Sequence, residues 1–359
     1  MLKSLLRMTK RSAAAILCLA LLTAAGLPAQ KRRSKKPDEE PKPQILAPLP
    51  DTPEAIAVET GRLSFQVSPL SDKGLLSQQV RDALKALARL NHGATIVKLR
   101  AFVAGSGDLR RVKEIVAADF TERKQPLPTI STLQVGALPM LGAQVVLEAI
   151  SSEKKIVNPA GLAFAAIPAP GNPAAALSQL RATFMGANVT AAQVLHVTCF
   201  LGSLEDEAAA LAAVAAAFPS ASFNFVQRQR LAVPGQAACE GVGQPSQPNQ
   251  TTREQPGVAF VNAPKLILTA TQLVFRDRDA DFRLAYQRLA KTIAALGAAP
   301  EDVLWTGAYV LTTPDAARIA SIQPKFIPRP HAPAGHVVQV EGLPSTDATA
   351  AIELIAVGH

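Results

Sequence analysis

Toward the C-terminus, apolar positions alternate between the two periods that separate strands from helices. "KLILTATQLVF" (265–275) is mostly apolar and β-branched, which predicts a strand. "DADFRLAYQRLAKTIAALG" then sets Phe282, Ala285, Leu289, Ile293 and Leu296 on one helical face, with Gly297 as a stop. "EDVLWTGAYVLT" (301–312) returns to strand chemistry, and "TPDAARIASIQPKFI" predicts a short helix with Thr313 as N-cap and Pro314 at its first position. "PAGHVVQVEGLP" (333–344) reads as strand and turn, and "AIELIAV" as a last strand that carries one acid, Glu353.

The same order runs through residues 62–150. "RLSFQVSP" (62–69) is a strand, and a helix follows with Leu76, Val80, Leu84 and Leu87 along one face. "TIVKLRAFVAG" (95–105) and "SGDLRRVKEIVAADF" (106–120) repeat the strand and helix, and "PTISTLQVGALP" (128–139) leads to Glu148 in "QVVLEAI". A more worn copy lies between. It runs "GLAFAAIP", a helix with Leu177, Leu180 and Phe184, "AQVLHVTCFLG" (192–202), a helix over 203–218 with a cap signal at Ser203–Asp206, and "SFNFVQRQRLAVPGQAACEGVG" with Glu240. The marker prolines Pro139, Pro234 and Pro344 are 95 and 110 residues apart, and the extra length sits in the polar stretch 243–257.

Each copy predicts β–α–β–α–β–β, with partly parallel pairing between strands joined by helices and an antiparallel pair at the final tight turn. Two helices cover only one face of such a sheet. The economical expectation is an α+β fold in which three copies pack their bare faces together as an intrachain pseudo-trimer. The predicted division is a leader at 1–29, a charged Pro-rich linker at 30–57, repeats at 58–153 and 154–243, a linker at 244–260 and a third repeat at 261–359.

Composition changes this picture in two places. Hydrophobic residues make up 48 % of the 359-residue chain and aromatics only 4 %, so Ala, Val and Leu must fill the core. Of the net charge of +9, residues 1–43 hold +7 (ten Lys/Arg, three Asp/Glu), leaving +2 for the remainder. A core so balanced has no footprint for a polyanion, and no nucleic-acid partner is expected. Lys3, Arg7, Lys10 and Arg11 followed by "SAAAILCLALLTAAG" read as an export signal cleaved after Ala25 or Ala29. The competing reading is an uncleaved anchor; with cleavage, the protein is exported, periplasmic or secreted, with no membrane span. Cys199 and Cys239 lie in predicted apolar strands, where a pair and two buried thiols are both open readings.

"P-x-x-S-T-L-Q-V-x-A-L-P" with "V-x-L-E-A-I", and "GAAPEDVLWTGAYVLTTPDAARI", resemble the RidA (YjgF/YER057c/UK114) family over about residues 60–152 and 265–357, and more weakly over 160–243. The resemblance implies chorismate-mutase-like repeats, with sites in clefts between subunits that here become clefts between repeats. It also implies enamine/imine deaminase chemistry, a hydrolase acting on C–N bonds. In that family an Arg in P-x-R-S holds the substrate carboxylate, and a Glu of the last strand helps water attack the imine carbon. The Glu is kept as Glu148, Glu240 and Glu353, which become the candidate catalytic residues. At the Arg position stand Ile130, approximately Phe225, and Gly335, and with His336 and Ser64 these are the candidate ligand-binding cleft positions.

Loss of a charge-assisted contact worth roughly 1.5–3 kcal/mol points to a degenerate site: a monomeric pseudo-trimer that binds a small molecule in one or more inter-repeat clefts, or serves assembly. The alternative is an active imine hydrolase using Glu148 or Glu353 with another cation. The family's ribonuclease activity gains nothing from a near-neutral core. Arg228 and Arg230 could offer a guanidinium from a neighbouring position, but they, and likewise Lys98 and Arg100, read more plainly as alternating surface charges. Arg100, Arg228, Arg230 or His336 pointing at a Glu across a cleft would favour the hydrolase. Acids bonded to backbone at a repeat seam remain the plainer account of the three Glu. No Cys/His cluster has ligand spacing, and no Gly-rich nucleotide signature is present, so no metal and no cofactor are expected.

Overall fold

The computed structural model describes residues 48–105, 107–166, 171–248, 257–328 and 333–359, and Pro48–His359 pack as one unit. The predicted leader, the linker up to residue 47 and residues 249–256 of the second linker lie outside the described residues.

Three sheets appear in succession, each backed by two helices. The first is built from β2 (Leu63–Val67), α1 (Leu76–Leu90), β3 (Thr95–Ala104), α2 (Leu109–Glu122), β4 (Thr129–Val135) and β5 (Val145–Ser152), after a short β1 (Ala55–Val58). The second comprises β6 (Leu162–Ala166), α3 (Pro173–Gly186), β7 (Val194–Leu201), α4 (Glu207–Ala217), β8 (Ser222–Gln227) and β9 (Ala237–Gly243). The third follows β10 (Val258–Val261) with β11 (Leu266–Thr269), β12 (Gln272–Phe275), α5 (Asp279–Ala294), β13 (Val303–Val310), α6 (Thr313–Phe326), β14 (Ala334–Gln339) and β15 (Ala348–Val357). The strand predicted over 265–275 is thus interrupted at Ala270–Thr271, and α6 is capped by Thr312 rather than Thr313. Among the described residues no helix is long and apolar enough to cross a membrane.

The sequence-predicted antiparallel pair at the end of each unit does not form. β3 pairs parallel with β4, as expected of strands joined by a helix, but β5 inserts between β2 and β3 and is antiparallel to both. The second and third sheets repeat this: β9 lies between β6 and β7, and β15 between β13 and the β11/β12 pair. The physical reason is burial. "VVLEAIS" is apolar on both faces, which suits a central strand and not an edge, and the nine residues 136–144 are enough to step across one neighbour.

Two of the sheets gain a strand from outside their own unit. β1 pairs antiparallel with β11 in the third sheet, and β10 pairs with β6 in the second. The ends of both predicted linkers, at 55–57 and 258–260, are therefore ordered strand.

Side-chain alternation divides the core into layers. Leu99, Ala101 and Val103 of β3 face α1 and α2, while Phe102 faces the other sheets. Phe200 and Tyr309 hold the same register in β7 and β13, and the three rings meet edge to face at 6.0 and 6.4 Å. Leu133, Val226 and Val338 complete this shared apolar layer. The turns beyond it interlock. Gln134 bridges to Gly342 and Ala137 to Gln227, and a Cβ on Gly136 would stand 2.2 Å from the backbone of Gln229. Gly136→Ala should therefore pry two units apart, lowering unfolding free energy by about 1–3 kcal/mol in urea titration.

Cys199 and Cys239 face each other across β7 and β9 with Cα atoms 4.2 Å apart, and they form a disulfide. Of the two readings open from the sequence, the pair is the one found. The bond closes a loop with a separation of 40 residues. By chain entropy its removal in a Cys199→Ala/Cys239→Ala variant should cost about 3–4 kcal/mol, read from the shift in urea midpoint.

Candidate functional site

Strand alternation brings a second set of side chains to the place where the sheets meet. Lys98 and Arg100 of β3 point inward, as do His196 and Thr198 of β7 and Trp305 of β13, with Gly307 at the third position. Opposite Arg100, Thr198 and Gly307 on the last strands stand Glu148, Glu240 and Glu353. On their other side stand Ser131, Asn224 and His336. All three sequence-predicted acids thus occupy one register and converge on one point. Gly307 is where a side chain would not fit, because a Cβ there would lie 2.5 Å from the indole of Trp305.

Arg100 is the hub. Its Nε donates to Glu148 Oε2 at 2.8 Å, and its Nη2 lies 2.6 Å from the same oxygen and 2.5 Å from Glu240 Oε1. Nη1 donates to Tyr309 Oη at 3.1 Å and stands 3.8 Å from Glu353 Oε1. Glu148 Oε1 accepts from Thr198 at 2.7 Å and from Asn224 at 2.8 Å. Glu353 accepts from Lys98 and Ser131, both at 2.6 Å, and from Tyr309 at 2.8 Å. Lys98 also donates to the Thr269 carbonyl.

Glu240 is less well served. Its Oε2 lies 2.8 Å from His336 Nδ1, but the imidazole is out of line for a hydrogen bond. Neither that oxygen nor either ring nitrogen of His336 has a hydrogen-bond partner among the described residues. His336 is held instead among the rings of Phe200, Trp305 and Tyr309, with centroids 5.2–5.3 Å away.

Electrostatics keeps the acids ionised. Burial pushes the Glu148 carboxyl up, but the Arg100 guanidinium, then His196 and Thr198, outweigh it and hold it well below the usual carboxylate range. Burial also works against Glu240, which Arg100 and then His336 bring down to about 2. For Glu353, Lys98 and Arg100 overcome burial in the same way. Burial lowers the Lys98 ammonium despite Glu353, and it raises the Tyr309 phenol, with Glu353 adding to the rise. Carboxylates held this low are weak proton acceptors at neutral pH and good acceptors of hydrogen bonds from a cation.

The cluster floors a cavity of about 60 Å³ lined by all three units. Phe65, Ile150, Phe164, Val242, Trp305 and Ile355 form its apolar walls. The cavity lies between the repeats, with residues of all three in its lining.

The other predicted residues fall elsewhere. Ile130 is buried in the helix-side core of the first unit and Phe225 in that of the second. By register the counterpart of Ile130 is Phe223, not Phe225, since Leu99 faces Ile130 as Val197 faces Phe223. Gly335 packs against the backbone of Thr306. Ser64 donates to Glu153, outside the cavity. Arg228 pairs with Gln236, and Arg230 forms an exposed bridge to Glu341. Lys98 and Arg100 are not surface charges. The signal for them was available: two cations in a strand whose every other residue from 96 to 104 is apolar. Among the described residues no three His, Cys, Asp or Glu are set to hold a metal ion.

Residues 264–358 match the family model described as endoribonuclease L-PSP. A search of curated proteins found no match. Among solved structures, a member of the YjgF/YER057c/UK114 family from Mycobacterium tuberculosis is 22 % identical, covering 26 % of this chain and 78 % of its own, with a TM-score of 0.24. A YjgF-family protein from Neisseria meningitidis is 19 % identical over 28 % of this chain and 84 % of its own, TM-score 0.24. A Rid-family protein from Yersinia pestis is 20 % identical over 26 % and 77 %, TM-score 0.24.

Proposed function

Because the chain belongs, through residues 264–358, to the RidA (YjgF/YER057c/UK114) family, we propose that it is an exported, single-chain counterpart of a trimer that binds a small molecule in its central cavity and does not deaminate imines. One observation carries this reading: the guanidinium in the cavity is spent on the chain's own groups. Arg100 gives its donors to Glu148, Glu240, Thr198 and Tyr309, so no fork is left for a substrate carboxylate. The residues at the family's arginine position lie outside the cavity lining. The buried Cys199–Cys239 bond is consistent with an oxidising, extracytoplasmic setting.

A hydrolase reading draws on the convergence of three retained acids with a cation. It requires one of them to accept a proton, and their pairing opposes that. A coupled assay of ammonia release from 2-iminopropanoate separates the two. We expect no release above the spontaneous rate from wild type. Wild-type release that Glu353→Ala abolishes would refute the proposal.

A further inference from the structure

Within the ligand-binding reading, the way the cavity's charges are paired selects a class of ligand. The floor spends its charges on itself. Glu148 Oε1 accepts from Thr198 and Asn224, and its Oε2 meets Arg100 through Nε and Nη2. Glu353 accepts from Lys98, Ser131 and Tyr309, and Lys98 also donates to the Thr269 carbonyl. Glu240 gives Oε1 to Arg100, while its Oε2 faces His336 Nδ1 at 2.8 Å, away from the cavity lining. His196 has both ring nitrogens engaged, by Ser222 and Thr198. An ion entering this space would give up its water without meeting a free counter-charge, and buried charge without a partner is strongly disfavoured.

Trp305 differs from these groups. It is the chain's sole tryptophan and 6 % exposed, and a buried indole N–H ordinarily finds an acceptor. Here Nε1 donates to no group among the described residues, yet it is not sealed from water as both ring nitrogens of His336 are. The six-membered edge of the indole lies over Gly307, where a Cβ would meet Cη2 at 2.5 Å and Cζ3 at 2.9 Å, so the N–H edge is set back from the charged floor. Ile150, Phe164, Val242 and Ile355 supply apolar wall around the same space.

We propose that the cavity takes a small uncharged carbonyl compound, its oxygen accepting from Trp305 Nε1–H and its carbons lying against Phe164, Val242 and Ile355. A carbonyl fits better than a hydroxyl. A hydroxyl also needs an acceptor, and the Glu148 and Glu353 oxygens are already met by donors of the chain. Size limits the ligand further. At about 10–15 Å³ per water on the same measure, 60 Å³ holds roughly four waters, or a molecule of about as many heavy atoms.

Propanone, 2-propanol, 2-propylammonium and acetate share one compact skeleton and differ in charge and hydrogen bonding. With a sole tryptophan in the chain, the proton–nitrogen NMR spectrum holds one indole N–H peak, and it belongs to the cavity. In titrations at pH 7 and low salt, propanone should move that peak downfield to saturation, together with the methyl peaks of Ile150 and Ile355. The two ions should bind at least about tenfold more weakly, and 2-propanol more weakly than propanone. Trp305→Phe keeps an aromatic wall but removes the donor, and should weaken propanone about fivefold, read from the isoleucine methyls. Val242→Phe fills the cavity without touching a charge and should abolish binding, so the test survives if Trp305→Phe does not fold. Methyl shifts without movement of the indole peak would overturn the tryptophan contact, and 2-propanol binding as tightly as propanone would overturn the choice of a carbonyl. Equal or tighter binding of either ion would overturn the uncharged class while leaving small-molecule binding intact. Propanone binding unchanged in Val242→Phe, or no binding of any of the four, would overturn the proposal outright. Ammonia release from 2-iminopropanoate, measured without these compounds, bears only on the proposed function.

Discussion

Arg100→Met should cost about 3–5 kcal/mol of unfolding free energy, the typical penalty for leaving buried charge without its partner. Glu148 and Glu240 would lose their nearest cation, and Glu353 would keep only Lys98. The urea midpoint reads the loss. Adding Glu148→Gln and Glu240→Gln to the same chain should recover most of it, because the remaining charges, Lys98 and Glu353, are already paired. That recovery is the non-additivity expected of groups in one network. An Arg100→Met protein as stable as wild type would show that Arg100 is not what compensates the buried acids.

The second large effect is acid sensitivity. Glu240 titrates near 2 in the folded chain against 4.5 for a free side chain, and Glu148 and Glu353 are lowered as well. A carboxyl depressed by folding stabilises the protein above its unfolded value, and that contribution is lost as pH falls through the folded one. Glu240 alone accounts for about 3 kcal/mol at neutral pH, and the other two add with the same sign. Unfolding free energy should therefore drop steeply between about pH 4.5 and pH 2, while changing little from these groups above pH 5.5. Urea midpoints at pH 7, 4 and 2.5 test this, and a flat profile would mean the acids are not ion-paired.

Much of this architecture could be read from the chain, because period and punctuation are local properties. Helical faces such as Leu76, Val80, Leu84 and Leu87 are buried as their spacing dictates. The register that lines up Glu148, Glu240 and Glu353 follows from the repeated phrase around each marker proline. Pairing order was not legible. Whether β5 lies beside β4 or beyond β3 depends on which strand has both faces covered, a property of the packed sheets. The site was read half correctly. Its acids stood out as lone charges in apolar strands, whereas Lys98 and Arg100 were read as a solvated alternation although Ile96, Phe102 and Ala104, in step with them along the strand, are apolar. Phe225 was misplaced by two residues because Phe223 lies eleven residues before Pro234, whereas Ile130 and Gly335 lie nine before Pro139 and Pro344.

The strand β1 sets a temporal constraint on this chain. Ala55 pairs with Thr269, 214 residues later, so one of the first described segments to be synthesised waits for the last unit before its backbone groups are satisfied. Contacts of such sequence separation are slow to form, since loop closure must precede any gain from them. The first two units can assemble their helix-side cores from local pairings while β1 stays unpaired. The third sheet is completed only when the two ends of the ordered chain meet. Pairing of β1 with β11 is then expected late in folding, after the third unit has formed.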